Sequence, residues 1–307
     1  MMGLISSKQA VKLMVKVSKQ IRDSNYRNNL ELYKNPIKIV SEGDSWFHFP
    51  LMPLLTDVIN QLIFMANSPY AVFSAGYPGD DLLDFVHKDA NGDLHGDVVD
   101  ALAAENPHFL LISGGGNDIL RSHRGGMEQI VRAVDPNEPG RSGAEYLADY
   151  YKNDLLVKVI DQYKNIFDHV QAHHPECHVL TYSYSYLRPT NDDYVEKPLS
   201  QKLSEGGKVG VNPVDLPGVD HKAVMTEIAK AVIDEFHTRL NALSANYSNV
   251  HLIDSRDALS DEDWFNEGHP NSSGCHKLAC MFEDKMLDLL GLDERPELEL
   301  ADVDLME

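Results

Sequence analysis

Ser45 lies in the run Ile39-Val40-Ser41-Glu42-Gly43-Asp44-Ser45-Trp46-Phe47-His48-Phe49-Pro50. The segment Ile37-Lys38-Ile39-Val40 leads into Gly43-Asp44-Ser45. Short, β-branched and bounded by polar residues, it reads as a buried strand. A turn directly after such a strand puts its serine at the C-terminal edge of a sheet, where open α/β sheets bind ligands. The chemistry open to that serine is nucleophilic attack. A hydroxyl is a poor nucleophile at neutral pH, so a base must stand within hydrogen-bond reach. The plainer use of Asp44 and Ser45 is to cap the next helix. The chain has 14 histidines, so residue type alone does not select the base.

Three later segments bear on that choice. Ser74-Ala75-Gly76-Tyr77-Pro78-Gly79-Asp80-Asp81 and Ser113-Gly114-Gly115-Gly116-Asn117-Asp118 each follow an apolar run, and Trp264-Phe265-Asn266-Glu267-Gly268-His269-Pro270-Asn271 lies near the C-terminus. In this order the four segments resemble the blocks of the SGNH (GDSL) hydrolases: Gly-Asp-Ser, a glycine block, Gly-x-Asn-Asp and a histidine block. The resemblance spans roughly residues 37–290, as ordered motifs rather than continuous similarity. It implies Ser45 as nucleophile and His269 as general base. It also implies an oxyanion hole made by the backbone N–H groups of Ser45 and Gly79 and the side-chain amide of Asn117. Gly79 is preferred to Gly76 because the family glycine commonly precedes an Asp-like residue, here Asp80. A bare backbone also lets substrate approach closely. Pro270 biases His269 toward an extended conformation.

The third member of the triad departs from the family pattern. Aspartate usually stands three residues before the histidine, and here that residue is Asn266. An amide can orient a neutral imidazole but cannot stabilise an imidazolium as a carboxylate does. Asp263, Glu267 and a backbone carbonyl are the substitutes. A turn through Asn266-Glu267-Gly268 would fold Asp263 back, which favours Asp263. Asp254, after a later apolar run, is read as structural. Trp46 and Phe47, next to the nucleophile, and the nearby Phe49 could wall an acyl pocket or pack the core.

The elements that must position these groups follow from the apolar runs. Strands are expected at 37–41, 70–74, 109–112, 177–182 and 250–253. Near-continuous rather than alternating, they suit a parallel sheet covered on both faces. Helices are expected at 51–66, 80–87, 97–104, 144–173 and 220–246, with a last one from Ser272 or Ser273 to near Gly291. Asn91-Gly92 reads as the turn between the second and third of these. The alternation predicts a doubly wound α/β sheet of five parallel strands. The resemblance implies the flavodoxin-like order 2-1-3-4-5. Three regions are expected: an N-terminal helical extension over 1–30, a hydrolase domain over 31–292, and an acidic flexible tail over 293–307. Loop insertions near 121–142 and 187–220 are candidates for lid or pocket roles.

Composition excludes several classes. A net charge of −21 disfavours nucleic acid as a partner. No apolar run reaches the ~18 residues of a transmembrane helix, and no secretory signal is evident. Three cysteines without paired zinc spacing suit reduced thiols and a cytoplasmic location. His173, His174 and His178 straddle an element boundary and no His-Glu-x-x-His occurs, so neither a metal nor a cofactor is expected. The expected activity is hydrolysis of a small carboxylic ester through an acyl-enzyme on Ser45. The alternatives are a thioesterase or acyltransferase using the same serine, or a non-catalytic α/β binding module.

Overall fold

The computed structural model describes residues 7–49, 57–120, 129–132, 142–189 and 220–301, except for the side chains of residues 7–14 and 221. In chain order the main elements are α1 (Ser7–Leu32), β1 (Ile37–Gly43), α2 (Val58–Phe64), β2 (Tyr70–Ser74), β3 (His87–Lys88), β4 (Leu94–His95), α3 (Asp97–Glu105), β5 (Phe109–Ser113) and α4 (Gly116–Leu120). Then come α5 (Leu156–His173), β6 (His178–Tyr182), α6 (His221–Ser244), β7 (Val250–Ile253), β8 (Trp264–Asn266), β9 (His269–Pro270) and α7 (Ser272–Leu290).

Five strands pair in parallel in the order β2-β1-β5-β6-β7. Counted along the chain this is 2-1-3-4-5, as the resemblance implied. Ile39, Val40 and the whole of β5 are buried, as strands covered on both faces must be. Helices flank the sheet, with α2 packed on α7 and α5 on α6. The order reverses between β1 and β5, and Gly43 pairs with Ser113 there. That reversal is the switch point at which open sheets leave a crevice beyond their C-terminal ends.

α1 packs against β2. β2 is an edge strand, and an edge leaves backbone groups without partners. Asn29 Nδ2 donates to Tyr70 O at 2.9 Å and Lys19 Nζ to Ser74 O at 2.9 Å. These two carbonyls face away from β1, so the helix side chains take the place of a sixth strand.

Described residues beyond 293 also make contacts with the rest of the chain. Arg295 donates to both carboxylate oxygens of Glu283 at 2.6 Å and to Ala66 O at 3.0 Å. Leu300 bridges to Tyr33, and Ala301 N donates to Leu32 O at 2.7 Å. Residues 302–307 lie outside the described residues, as do 1–6 and most of the expected insertions, at 121–128, 133–141 and 190–219.

Two expected helices differ. Residues 80–87 form only a 3-10 turn at Leu82–Asp84, because the buried Asp118 carboxylate accepts from Leu82 N at 2.7 Å and Leu83 N at 3.2 Å. Asn91-Gly92 is then the tip of the β3–β4 hairpin, with Gly92 at φ +90°. Residues 144–173 open with a 3-10 turn and a π-helical turn at Tyr151–Leu155 before α5 begins. The first half of the helix expected over 51–66, Pro53 included, lies partly outside the described residues, and α2 covers its C-terminal part.

Candidate active site

Ser45 stands two residues beyond β1, in a turn whose peptide groups are fixed on every side. Asp44 N donates to Ser113 O at 3.0 Å, and Phe47 N and His48 N return to Asp44 O at 3.1 and 2.9 Å. The Asp44 side chain is buried and fully used. Its Oδ1 accepts from Trp46 N at 3.0 Å and Ser113 Oγ at 3.0 Å, and its Oδ2 accepts from Tyr184 Oη at 2.6 Å. Burial pushes its carboxyl up to about 6, against the lowering effect of these three donors. Asp44 therefore shapes the turn, and Ser45, half-buried, is the hydroxyl the turn presents.

The Ser45 Oγ lies 2.8 Å from His269 Nε2. His269 is brought there by a hairpin too short for its periodicity to be seen in sequence. Trp264 pairs with Pro270 and Asn266 with His269, leaving Glu267-Gly268 as the loop. Trp46 helps hold the hairpin, since its Nε1 donates to Gly268 O at 2.9 Å. The Phe49 ring lies 4.9 Å from the His269 ring and 5.8 Å from Phe265, centroid to centroid.

Asn266 lies where the family places its aspartate, and its oxygen meets the imidazole. Asn266 Oδ1 is 3.0 Å from His269 Nδ1 and accepts backbone N–H groups from Gly268 at 3.0 Å and His269 at 2.8 Å. Backbone N–H groups can only donate, so the atom they face must be the amide oxygen. An oxygen facing Nδ1 requires a hydrogen on Nδ1. Nε2 is then bare and can accept the Ser45 proton. The amide thus sets the tautomer a general base needs.

Asp263 is not brought to His269. Its side chain is buried in a capping box with Ser260, accepting from Ser260 N at 2.9 Å and Oγ at 2.6 Å. Ser273 Oγ at 3.0 Å and Lys277 Nζ at 2.5 Å complete its shell. Burial raises its pKa, but Lys277, Ser260 and Ser273 more than offset that and hold the carboxyl well below the usual range. The expectation that Asp263 folds back is therefore corrected: its carboxylate ties the histidine hairpin to α7. Asp254 pairs with Arg256 at 2.7 Å and faces His237 Nε2 at 3.8 Å. The other His237 nitrogen is 2.8 Å from Ser183 Oγ. This is a second Ser-His-Asp arrangement, but Ser183 is fully buried and offers no path to a substrate.

Of the expected oxyanion groups, Gly79 and Asn117 are tied to one loop. Gly79 has φ +83°, a left-handed conformation that costs glycine least. Gly76 serves packing instead: a Cβ there would meet the Gly43 backbone and come within 2.7 Å of Glu42 Oε1. Asn117, at the start of α4, donates from Nδ2 to Asp80 O at 2.9 Å, which ties the amide to the loop after Gly79. An amide nitrogen carries two hydrogens, and this bond uses one. Glu42, buried one residue before Gly43, has its carboxyl pushed well up by burial and by Asp80.

The acyl-pocket expectation for Trp46 and Phe47 is corrected. Trp46 packs among Tyr182, Tyr184 and Trp264, while Phe47 is fully buried against Tyr182 and Phe282. The turn points Ser45 outward and sends both rings into the core. Phe49, named with them in the sequence, borders the His269 ring instead. Among the described residues no group of three or more His, Cys, Asp or Glu side chains is placed to hold a metal ion. No described helix is long and apolar enough to cross a membrane.

A family profile described as the GDSL-like Lipase/Acylhydrolase family matches residues 43–277. None of the curated proteins matches the chain. Among solved structures it is similar to a family 3 carbohydrate esterase of Clostridium thermocellum, at 13% identity and a TM-score of 0.46, covering 84% of this chain and 98% of that one. It is also similar to a carbohydrate acetylesterase from Sinorhizobium meliloti, at 16% identity and a TM-score of 0.42, covering 82% and 99%.

Proposed function

Because the chain belongs to the GDSL-like lipase/acylhydrolase family, we propose that it is a serine esterase that cleaves carboxylic esters through an acyl-enzyme on Ser45. The observation that carries this reading is the 2.8 Å contact between Ser45 Oγ and His269 Nε2 at the sheet's switch point. In the first half-reaction Ser45 Oγ attacks the ester carbonyl and its proton passes to Nε2. The imidazolium then gives that proton to the departing alcohol. In the second half-reaction His269 takes a proton from water, which attacks the acyl carbon, and gives it to Ser45 Oγ as the acyl–oxygen bond breaks and the acid leaves. The backbone N–H groups of Ser45 and Gly79 and the Asn117 amide are the proposed donors to the oxyanion, where losing one donor typically costs ~10²–10³ in kcat.

Asn266 gives the mechanism a particular balance. It orders the neutral imidazole before attack but brings no full negative charge to the imidazolium. The arrangement is analogous to the Cys-His-Asn sites of papain-like proteases, where an amide also orients the base.

The test is covalent labelling. Wild-type protein treated with a fluorophosphonate should gain the probe on Ser45, located by peptide mass spectrometry. Ser45→Ala should neither label nor hydrolyse p-nitrophenyl acetate while keeping its circular dichroism spectrum. Hydrolysis retained by folded Ser45→Ala sinks the assignment.

A further inference from the structure

We infer that Arg22, on α1 and outside the stretch that carries the four motifs, is a positioning residue for both the nucleophile turn and His269. The inference rests on the proposed Ser45–His269 pair. Arg22 is 2% exposed, and its guanidinium joins three separate segments. Nε donates to Asn60 Oδ1 at 2.9 Å. Nη1 donates to Phe47 O at 3.1 Å and Ser74 Oγ at 3.1 Å, and also meets His48 Nδ1. Nη2 pairs with Asp57 Oδ2 at 2.5 Å.

Each partner leads to the site. Phe47 O belongs to the turn, two residues past Ser45. Ser74 ends β2, and the chain runs from it to Gly79. Asp57 caps α2, accepting from Asn60 N at 2.7 Å, and its Oδ2 also takes Phe49 N at 3.2 Å. Phe49 is thereby held from both sides. Arg22 fixes the carbonyl two residues before it, and the Asp57 carboxylate fixes its own N–H. Its ring is the surface against which His269 rests, 4.9 Å away. His48 stays an acceptor because burial and the Arg22 charge hold its imidazole well below the usual range. The cavity between α1 and the loop after β2, bordered by Arg22, Phe49, Gly76 and Tyr77, is about 20 Å³. That is room for about one water, so the helix is seated closely on the site.

The chemistry of the pair argues for geometry over stability. A buried ion pair costs several kcal/mol per ion in desolvation, and well-packed apolar replacements are often as stable. What apolar residues cannot supply is a planar fork of donors aimed at fixed acceptors. Lysine, with one ammonium on a flexible stem, cannot supply it either. The N-terminal helix therefore contributes to catalysis through Arg22 while touching no reacting atom.

Two variants test this: Arg22→Lys, and the pair Arg22→Met with Asp57→Asn, which leaves no unpaired buried charge. The readouts are fluorophosphonate labelling rate per folded molecule, kcat and KM on p-nitrophenyl acetate, and the acid limb of the kcat/KM profile. Both variants should fold yet label and turn over ~10–10²-fold more slowly, the scale of a small misplacement of reacting groups. KM should change less, and the acid limb should move because Phe49 no longer sits fixed against His269. A lowered Tm with wild-type labelling, kcat and acid limb makes Arg22 purely structural and overturns the inference. If neither variant folds, Phe49→Leu decides, since it leaves the Arg22 network whole. Slow labelling with a displaced limb supports the route through Phe49, and wild-type values overturn it. Wild-type protein that does not label overturns the nucleophile reading itself, which is a separate outcome.

Discussion

At the residue scale, the amide of Asn266 stands where the sequence called for a carboxylate, with its Oδ1 3.0 Å from His269 Nδ1. Its oxygen is committed by two backbone donors, so it can only accept from Nδ1. Asn266→Ala should leave the imidazole free to rotate and to populate the wrong tautomer. The expected loss is ~10² in kcat, smaller than the ~10⁴ seen when a charged triad acid is neutralised in a serine protease. Asn266→Asp should keep most of the activity. It should also move the acid limb of kcat/KM to higher pH, because a carboxylate favours the charged imidazole. Asp263→Ala should act on folding rather than on the base, lowering Tm more than kcat per labelled site. If Asp263→Ala removes more kcat than Asn266→Ala at equal folded fraction, Asp263 rather than Asn266 supports the base.

At the element scale, the histidine hairpin is held from below by the start of α7. Asn271 caps that helix by accepting from Gly274 N at 3.1 Å, and Asn271 N donates to Asp263 O at 2.8 Å. Gly274 permits this closeness. A Cβ there would run into Asp263 O and come within 2.8 Å of the Pro270 Cβ. Gly274→Ala puts alanine in a helix, where alone it should stabilise by ~0.5–1 kcal/mol. Here the clash should outweigh that gain. The expected result is a Tm several degrees lower and slower probe labelling of Ser45, because Pro270 moves with His269. A higher Tm with unchanged labelling would show that the loop yields freely and does not fix the base.

At the scale of the whole molecule, buried carboxylates set how stability responds to pH. Burial raises Asp44 and Asp118 from 3.8 to about 6. For such groups the native state binds protons more tightly than the unfolded chain. Their contribution is fully present below about 4 and lost as pH rises through about 6. Asp254 is lowered to about 2, first by the hydrogen bonds of Arg256, and Asp263 is also lowered. Their contribution is present above about 4 and lost as pH falls. Histidines lowered chiefly by burial, His48 and His251 among them, oppose the raised carboxylates, since their contribution grows as pH rises toward about 6.5. Asp118→Asn, which lies outside the Ser45–His269 contact, removes one of the raised carboxylates. Between about pH 4 and 6 its Tm should therefore fall less, or climb more, than that of the wild type. Melting curves of the two proteins that run parallel over this range would contradict the assignment.

The sheet and the two ends of the proposed reaction were legible from the amino-acid order. Five apolar runs of β-branched and aromatic residues are long enough to reveal their type, and alternation with helices leaves few ways to connect them. Gly43-Asp44-Ser45 was legible as a turn after a strand, whereas His269, one of 14 histidines, was singled out only by the resemblance of the four ordered blocks to the family. Which oxygen faces His269 Nδ1 emerged only in three dimensions, because the β8–β9 hairpin has strands of three and two residues. Elements that short have no period to read. The inward turn of Trp46 and Phe47, and the place of Phe49 beside the base, emerged there too, since neighbouring aromatics look alike until their backbone is fixed. Arg22 carried no local signal at all. Its partners lie between 25 and 52 positions away, and a polar side chain on an amphipathic helix reads as solvated until the strand edge it covers is in place.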